Sequence, residues 1–467
     1  MNKEICLLGR LMMIERFEYE GDWWFPESPE RKVKGKLKFD PKEGASLYLV
    51  GSKEDLATIV GISKPEIILG FSTDGKKITL YDSLLSKSSV HVPGMIEQWF
   101  YVTYVFVGTH FHKAEDIKFK SANIRFSYLD DWVDVSGFKI GLLKKGGYSI
   151  RYKLPKDFRA KISNDLKVNI SFGAKYPALY GVQKEVYAKQ EAWIRIIPSE
   201  VKTLEYFLLA IHHIQDFLTL VISEPVYPLY IKADIESEEL AVSFVNIFYR
   251  LPRIADISRT LYPQEMLFAF EDISKQFGFL LRNWFRKREL LSSVSDLYLG
   301  VLYAGEIYLN NEFLNLVQAI ESYHRRTMKN YELPEAEHKK RVAEILNAVS
   351  SEHRRWLKEE LKYSNEPNLR KRLRGILESS QMVSDELITN KKLFINKIVD
   401  TRNYLTHFDP ILEEKAAKNE ELFKFTLKLK ILLQFCLLKE IGLSFELIKK
   451  SIFDLIQRKY GTLDSKV

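Results

Sequence analysis

Residues 400–407 read Asp400-Thr401-Arg402-Asn403-Tyr404-Leu405-Thr406-His407. The stretch ends a helical segment, Asn390 to Phe408, which Pro410 closes. It holds an arginine, an adjacent polar residue and a histidine five positions after the arginine. Metal-free cleavage of an RNA phosphodiester needs such a pair. The histidine moves protons near pH 7. The arginine grips a phosphate through two parallel hydrogen bonds and stabilises the charge of a pentavalent transition state.

By chance alone, an Arg-x4-His match occurs in roughly one chain in two of this length, and an Asn beside the Arg reduces that to about a few per cent. Among nine histidines, only His407 has an arginine five to seven residues upstream. A bland explanation competes: a helix C-terminus where His meets the last carbonyls and Arg makes a surface pair. On an ideal helix Asn403 and His407 share one face, whereas Arg402 stands about 140° from His407. One helix therefore makes an incomplete site. Two such helices across a two-fold axis would bring two arginines and two histidines into one cleft.

Outward from the motif the period stays helical. Asn311 to His324, Glu337 to Tyr363, Asn368 to Glu378, Asn419 to Ile441 and Phe445 to Lys459 each fit one amphipathic helix, so 296–467 reads as a helical bundle. Segment 325–378 holds fourteen Lys or Arg against nine Glu. It is either a solvated charged face or a phosphate-contacting surface. Arg325, Arg326, Lys391, Lys392 and Lys397 are the candidate RNA-contacting residues.

Residues 1–198 read as β. Lys34 to Phe39, Ser46 to Val50, Glu66 to Phe71, Lys77 to Tyr81, Tyr101 to Val107, Ala122 to Leu129, Val168 to Phe172 and Ala192 to Ile197 are strands, with a hairpin turn at Thr73-Asp74-Gly75-Lys76. Short strands with Gly, Pro and Asp turns predict an antiparallel sandwich or barrel-like domain. Between the two parts, 199–295 reads as a mixed, mostly helical connecting region. It has a helix from Leu204, an extended piece at Tyr230-Ile231-Lys232-Ala233 and a second helix from Pro263 to Phe279. The fold class is α+β.

With 467 residues and 46% hydrophobic residues, the chain has ample material for two cores. Its formal charge of +8 favours a polyanionic partner. Cys6 and Cys436 provide no disulfide framework and no metal spacing, as expected in a reducing cytosol. Glu4, Gly9 and Arg10 interrupt the apolar N-terminal stretch, so it does not read as a signal peptide. The apolar run Leu204 to Ile222 contains His212, His213, Gln215 and Asp216, too polar for a membrane span. The expectation is a cytoplasmic protein without a membrane partner.

Rival chemistries find less support. His110-x-His112 would share a strand face as two metal ligands, but no third ligand stands at a telling spacing, so no metal or cofactor is expected. Gly146-Gly147 is a turn rather than a phosphate loop, and there is no Gly-x-Ser-x-Gly elbow. The serious alternative is a non-catalytic sensor and dimerisation module that binds a protein or RNA partner.

The C-terminal third resembles HEPN domains, specifically that of ApeA-like phage-defence proteins. The resemblance rests on Leu316-Val317-Gln318-Ala319-Ile320-Glu321-Ser322-Tyr323-His324 and on Arg402-Asn403-Tyr404-Leu405-Thr406-His407. The first two thirds resemble the N-terminal β domain of that family. The matching pieces are Gly35-Lys36-Leu37 with Leu47-Tyr48-Leu49, the Gly70 to Leu80 hairpin, Gly108-Thr109-His110-Phe111 and Leu129-Asp130-Asp131-Trp132. The resemblance implies a metal-independent endoribonuclease acting in abortive-infection defence, on tRNA or another RNA. It implies a homodimer through the HEPN domain, released by a phage-derived trigger. It places Arg402 and His407 on the catalytic positions, Asn403 on the polar one and Glu321 on an auxiliary acidic one. The β domain would sense or restrain.

Overall fold

The computed structural model describes residues 16–52, 64–91, 94–143, 146–176, 186–236, 243–251 and 259–461. Cys6 and most of the N-terminal stretch read above lie outside them. The chain divides into two compact units, Met1–Arg282 and Asn283–Val467.

The first unit holds β1 (Phe17–Trp24), β2 (Val33–Asp40), β3 (Gly44–Ser52), β4 (Ile67–Ser72), β5 (Lys77–His91), β6 (Met95–Val107), β7 (Lys118–Phe119) and β8 (Ser121–Phe126). After the short helix α1 (Leu129–Val133) come β9 (Phe138–Leu142), β10 (Tyr148–Tyr152), β11 (Phe158–Lys161), β12 (Leu166–Lys175), β13 (Lys189–Pro198) and β14 (Lys202–Thr203). Helix α2 (Leu204–Ile222) precedes β15 (Pro228–Ile235) and β16 (Ser243–Tyr249).

Twelve strands form one antiparallel sheet in the order β11-β12-β13-β8-β15-β16-β6-β3-β2-β1-β4-β5. A further pairing of β5 with β6 closes the last six into a barrel. Alternation in β2 shows why. Val33, Leu37 and Phe39 turn inward, while Lys34, Lys36 and Lys38 turn out to pair with Asp22 at 2.7 Å and with Glu18 at 2.5 and 3.0 Å. Trp23, Leu37, Leu47, Ile78, Leu80 and Phe100 belong to one buried cluster. The turn between β4 and β5 falls at the sequence-predicted Thr73 to Lys76, with Gly75 at φ +85°.

The reading of 199–295 as a connecting region is corrected. Strands β15 and β16 sit inside the large sheet, between β8 and β6, so residues 199–282 belong to the β unit and 283–295 to the second unit. The predicted helix from Pro263 to Phe279 is broken: Pro263–Glu265 is a 3-10 turn, and helical structure resumes only at Phe270. Between them, Leu267 and Phe268 donate backbone hydrogen bonds to Ile222 and Val221 at the end of α2, which holds the chain extended. A single turn of helix, α3 (Phe270–Ile273), follows, and a continuous helix, α4 (Phe277–Tyr303), begins only at Phe277. The division between the units falls inside α4, so the predicted boundary at 295/296 cuts a helix.

The second unit continues with α5 (Leu309–Thr327), α6 (Glu335–Ala348), α7 (Ser351–Glu360), α8 (Leu369–Ser379), α9 (Gln381–Leu387), α10 (Lys391–His407), α11 (Pro410–Glu413), α12 (Asn419–Ile441) and α13 (Phe445–Tyr460). Helix α5 buries Phe313, Leu316, Val317, Ile320 and Tyr323 and packs on α12, α8 and α10. Glu440 of α12 ties two neighbours, accepting from Tyr323 Oη at 3.0 Å and pairing with Lys287 Nζ of α4 at 2.6 Å. The single helix expected from Glu337 to Tyr363 is two, because Val349 and Ser350 are extended. Neither α6 nor α7 contains a buried residue, so they form an arm. Asn365 pins its base by accepting from the Glu332 and Leu333 amides and donating to the Leu333 carbonyl.

Gly70 in β4 faces the Trp23 ring, and a Cβ there would lie 2.3 Å from its Cζ3. Gly70→Ala should therefore destabilise the barrel by about 1–3 kcal/mol through overpacking. Denaturant titration followed by tryptophan fluorescence reads this, and an unchanged midpoint would show a barrel able to relax.

Candidate active site

Helix α10 is built to hold its last turn still. The Asn390 side chain caps its first turn, accepting from the Leu393 amide at 2.9 Å. Phe394, Ile395, Ile398, Val399 and Thr401 are buried. Arg370 of α8 reaches across to Asn396 and, at 2.9 Å, to Asp400. The buried Thr401 hydroxyl accepts from the Ala417 amide at 2.8 Å, which fixes the segment after the helix. The helix stops at His407 because Phe408 is left-handed, φ +52°. Asp409 then caps α11, and Pro410 takes its first position.

On the other face, the Arg402 guanidinium is half-buried. Its Nη1 donates to Asn403 Oδ1 at 3.0 Å, and its Nη2 lies 3.5 Å from Glu321 Oε2 on α5. The fold thus brings together Arg402, Asn403 and Glu321, residues of two helices. His407 is exposed at the end of α10, and its imidazole makes no hydrogen bond or ion pair to the described residues. Asn403 shares a face with His407 on an ideal wheel, but its carboxamide is engaged with Arg402.

The five basic candidates divide. Arg325 pairs with Glu366 at 2.8 Å, Lys397 with Glu421 at 3.1 Å, and Lys391 with Asp385. Arg326 and Lys392 are exposed, with no ion pair among the described residues. Surface pairs of this kind contribute little. His110 and His112 lie beyond the end of β6 rather than on a strand, and His110 Nε2 is 2.8 Å from the Gly70 carbonyl.

Sequence reasoning missed a second constellation beside the site. Arg372 of α8 is 3% exposed. Its Nη1 donates to Asn330 Oδ1 at 2.5 Å and faces His324 Nδ1 at 3.3 Å, while Nη2 binds Glu366 at 3.1 Å. In the sequence, Arg370, Lys371, Arg372 and Arg374 look alike. Only the apolar Leu369, Leu373, Ile376 and Leu377 around Arg372 mark its side of the helix as the inner one.

Residues 18–284 match the family model for ApeA N-terminal domain 1, and residues 314–447 match that for the Apea-like HEPN domain. The chain belongs to the ApeA family. Its second unit is accordingly a HEPN bundle, of a type generally related to ribonucleases. Glu321 and the whole motif helix fall within the HEPN match. The ApeA N-terminal match takes in β15 and β16 and ends beside the division after Arg282. Comparisons with curated proteins and with solved structures find no match. No helix among the described residues is long and apolar enough to cross a membrane.

Burial, and then the Arg372 guanidinium, hold the His324 pKa below its ordinary value of 6.5. An unfolded chain protonates this imidazole below about pH 6.5 while the folded one resists, so the contribution is whole above that pH and is lost on acidification. Melting temperatures from about pH 7 to about pH 5 should fall less steeply in His324→Gln than in the parent chain. Parallel slopes would show that His324 titrates normally.

Proposed function

We propose that this chain is a metal-independent endoribonuclease acting in phage defence, with a composite site formed when two HEPN bundles pair. The supporting observation is the placement of Arg402. It sits with Asn403 on the helix that ends in the exposed His407, and it faces Glu321 across from α5. A single chain leaves this histidine without a partner side chain among the described residues. Phe408 and Ile411, just beyond it, are large apolar residues left exposed. A second bundle covering them would bring its own arginine and histidine to the same place.

The chemistry is transesterification. The 2′-hydroxyl of the RNA attacks the adjacent phosphorus while a histidine takes its proton. The P–O5′ bond breaks, and a histidine returns a proton to the leaving oxygen. Arg402 exchanges its contacts with Glu321 and Asn403 for the non-bridging oxygens and stabilises their charge. The products are a 2′,3′-cyclic phosphate and a 5′-hydroxyl. DNA lacks the nucleophile and resists. Single-stranded RNA loops, anticodon loops of tRNA among them, present an accessible backbone. In this reading the β unit senses a phage-derived trigger or restrains the nuclease.

Purified protein should cut RNA in the presence of a chelator. His407→Ala and Arg402→Ala should each reduce cleavage about 10²–10⁴-fold without loss of fold, and Asn403→Ala should cost less. Wild-type cutting by either of the first two would return the chain to the reading of a non-catalytic sensor and dimerisation module.

The dimer has its own test. Ile411→Asp should convert the protein to a monomer by light scattering and silence it although Arg402 and His407 are intact. A monomeric variant that cuts normally would rule out the composite site.

A further inference from the structure

Residues 135–156 contain six Lys or Arg and no Asp or Glu, within a chain whose net charge is +8. They include β9 and β10, which form a two-stranded sheet separate from the large one. The register pairs Phe138 with Tyr152, Ile140 with Ile150 and Leu142 with Tyr148. Strand alternation puts these six apolar side chains on one face, and Lys139, Gly141, Ser149 and Arg151 on the other. At the base, the Phe138 and Tyr152 rings meet at 4.5 Å, tilted by 45°, and Tyr176 lies 5.8 Å from Tyr152. Farther out, Ile140, Leu142, Tyr148 and Ile150 are 60–79% exposed. Lys139, Arg151, Lys153 and Lys156 are exposed and form no ion pair with the described residues.

An apolar sheet face left open in this way marks a contact surface. We propose that the β9–β10 ribbon adsorbs to an anionic lipid surface. Its geometry fits other occupants less well. Strands of five residues present only a few hundred Å² of apolar area, short of the roughly 800 Å² each partner gives to a stable protein interface. An RNA would satisfy the cations, but among the four exposed apolar side chains only Tyr148 offers a base a ring to stack on, while Ile140, Leu142 and Ile150 offer none. A bilayer interface accepts both features. The aliphatic side chains enter the headgroup boundary, Tyr148 sits at headgroup level, and the cations meet anionic lipid. A ribbon two strands wide lets the Lys139 and Arg151 stems bend round its edges to reach that level. Such adsorption needs no spanning helix.

The test is co-sedimentation of the full chain with vesicles of phosphatidylcholine alone or mixed equally with phosphatidylglycerol. The expected result is binding to the mixed vesicles only, weakened by salt. Each basic residue contributes about fivefold, so Lys139→Gln with Arg151→Gln should weaken binding by roughly 25-fold. Ile140→Glu with Ile150→Glu should abolish it while the melting temperature stays unchanged, because both side chains are exposed. Failure to bind mixed vesicles overturns the proposal, as does binding that survives the Glu substitutions. A change in oligomeric mass in the Glu variant, with lipid binding retained, would overturn it in favour of a second copy on this face.

Discussion

The first unit depends on β6 serving two neighbours along one edge. Met95 to Val102 pair with β3 and complete the barrel, while Tyr104 to Val107 pair with β16 and begin the open half of the sheet. The opposite edge pairs with β5 along most of its length. The sequence of the strand follows this change of duty. Ile96, Gln98, Phe100 and Val102 are buried alternately, as in a wall with one wet face, whereas Val105, Phe106 and Val107 are buried consecutively. A strand covered on both faces reads as a continuous apolar run. Val105 and Val107 face the barrel cluster, and Phe106 meets Phe111 and Phe119.

In the second unit one helix does two jobs. The inner side of α5 fills the bundle, and Tyr323 is joined through Glu440 to Lys287. The adjacent side carries Glu321 to Arg402. The Cys436 thiol in this core is pushed up to about 12 by burial, so it stays protonated and inert. The candidate site therefore rests on packed helices rather than loops, which holds its side chains at set distances. The 3.5 Å separation of Arg402 and Glu321 is loose for a hydrogen bond, so an incoming anion displaces little.

Much of this arrangement was legible in the residues, and where it was not the reason is physical. The helices Asn419 to Ile441 and Asn390 to Phe408 stood out through their apolar period, and Pro410 marked the end of the second. The strands β2 to β6 were visible through alternation and the Asp-Gly turn. The placement of β15 and β16 was hidden because strand order depends on pairing between distant segments, which no local pattern records. The break at Val349-Ser350 was missed because both flanking segments keep helical periodicity across it. At the site, Arg402, Asn403 and His407 came from spacing, and their joining to Glu321 awaited packing of two helices eighty-one positions apart. The burial of Arg372 could not be read from a run of four similar cations.

The arm of α6 and α7 has a consequence for how such chains change over time. With no buried residue in either helix, its sequence answers to solvent and to its own seam rather than to the bundle. The clamp at Asn365 closes the neck below it, so the backbone leaves and re-enters the bundle at nearly one point. A segment held that way can lengthen, shorten or be exchanged at little expense to the rest. Substitutions there should accumulate faster than in α5 or α12, and length differences between relatives should concentrate between Leu333 and Asn365.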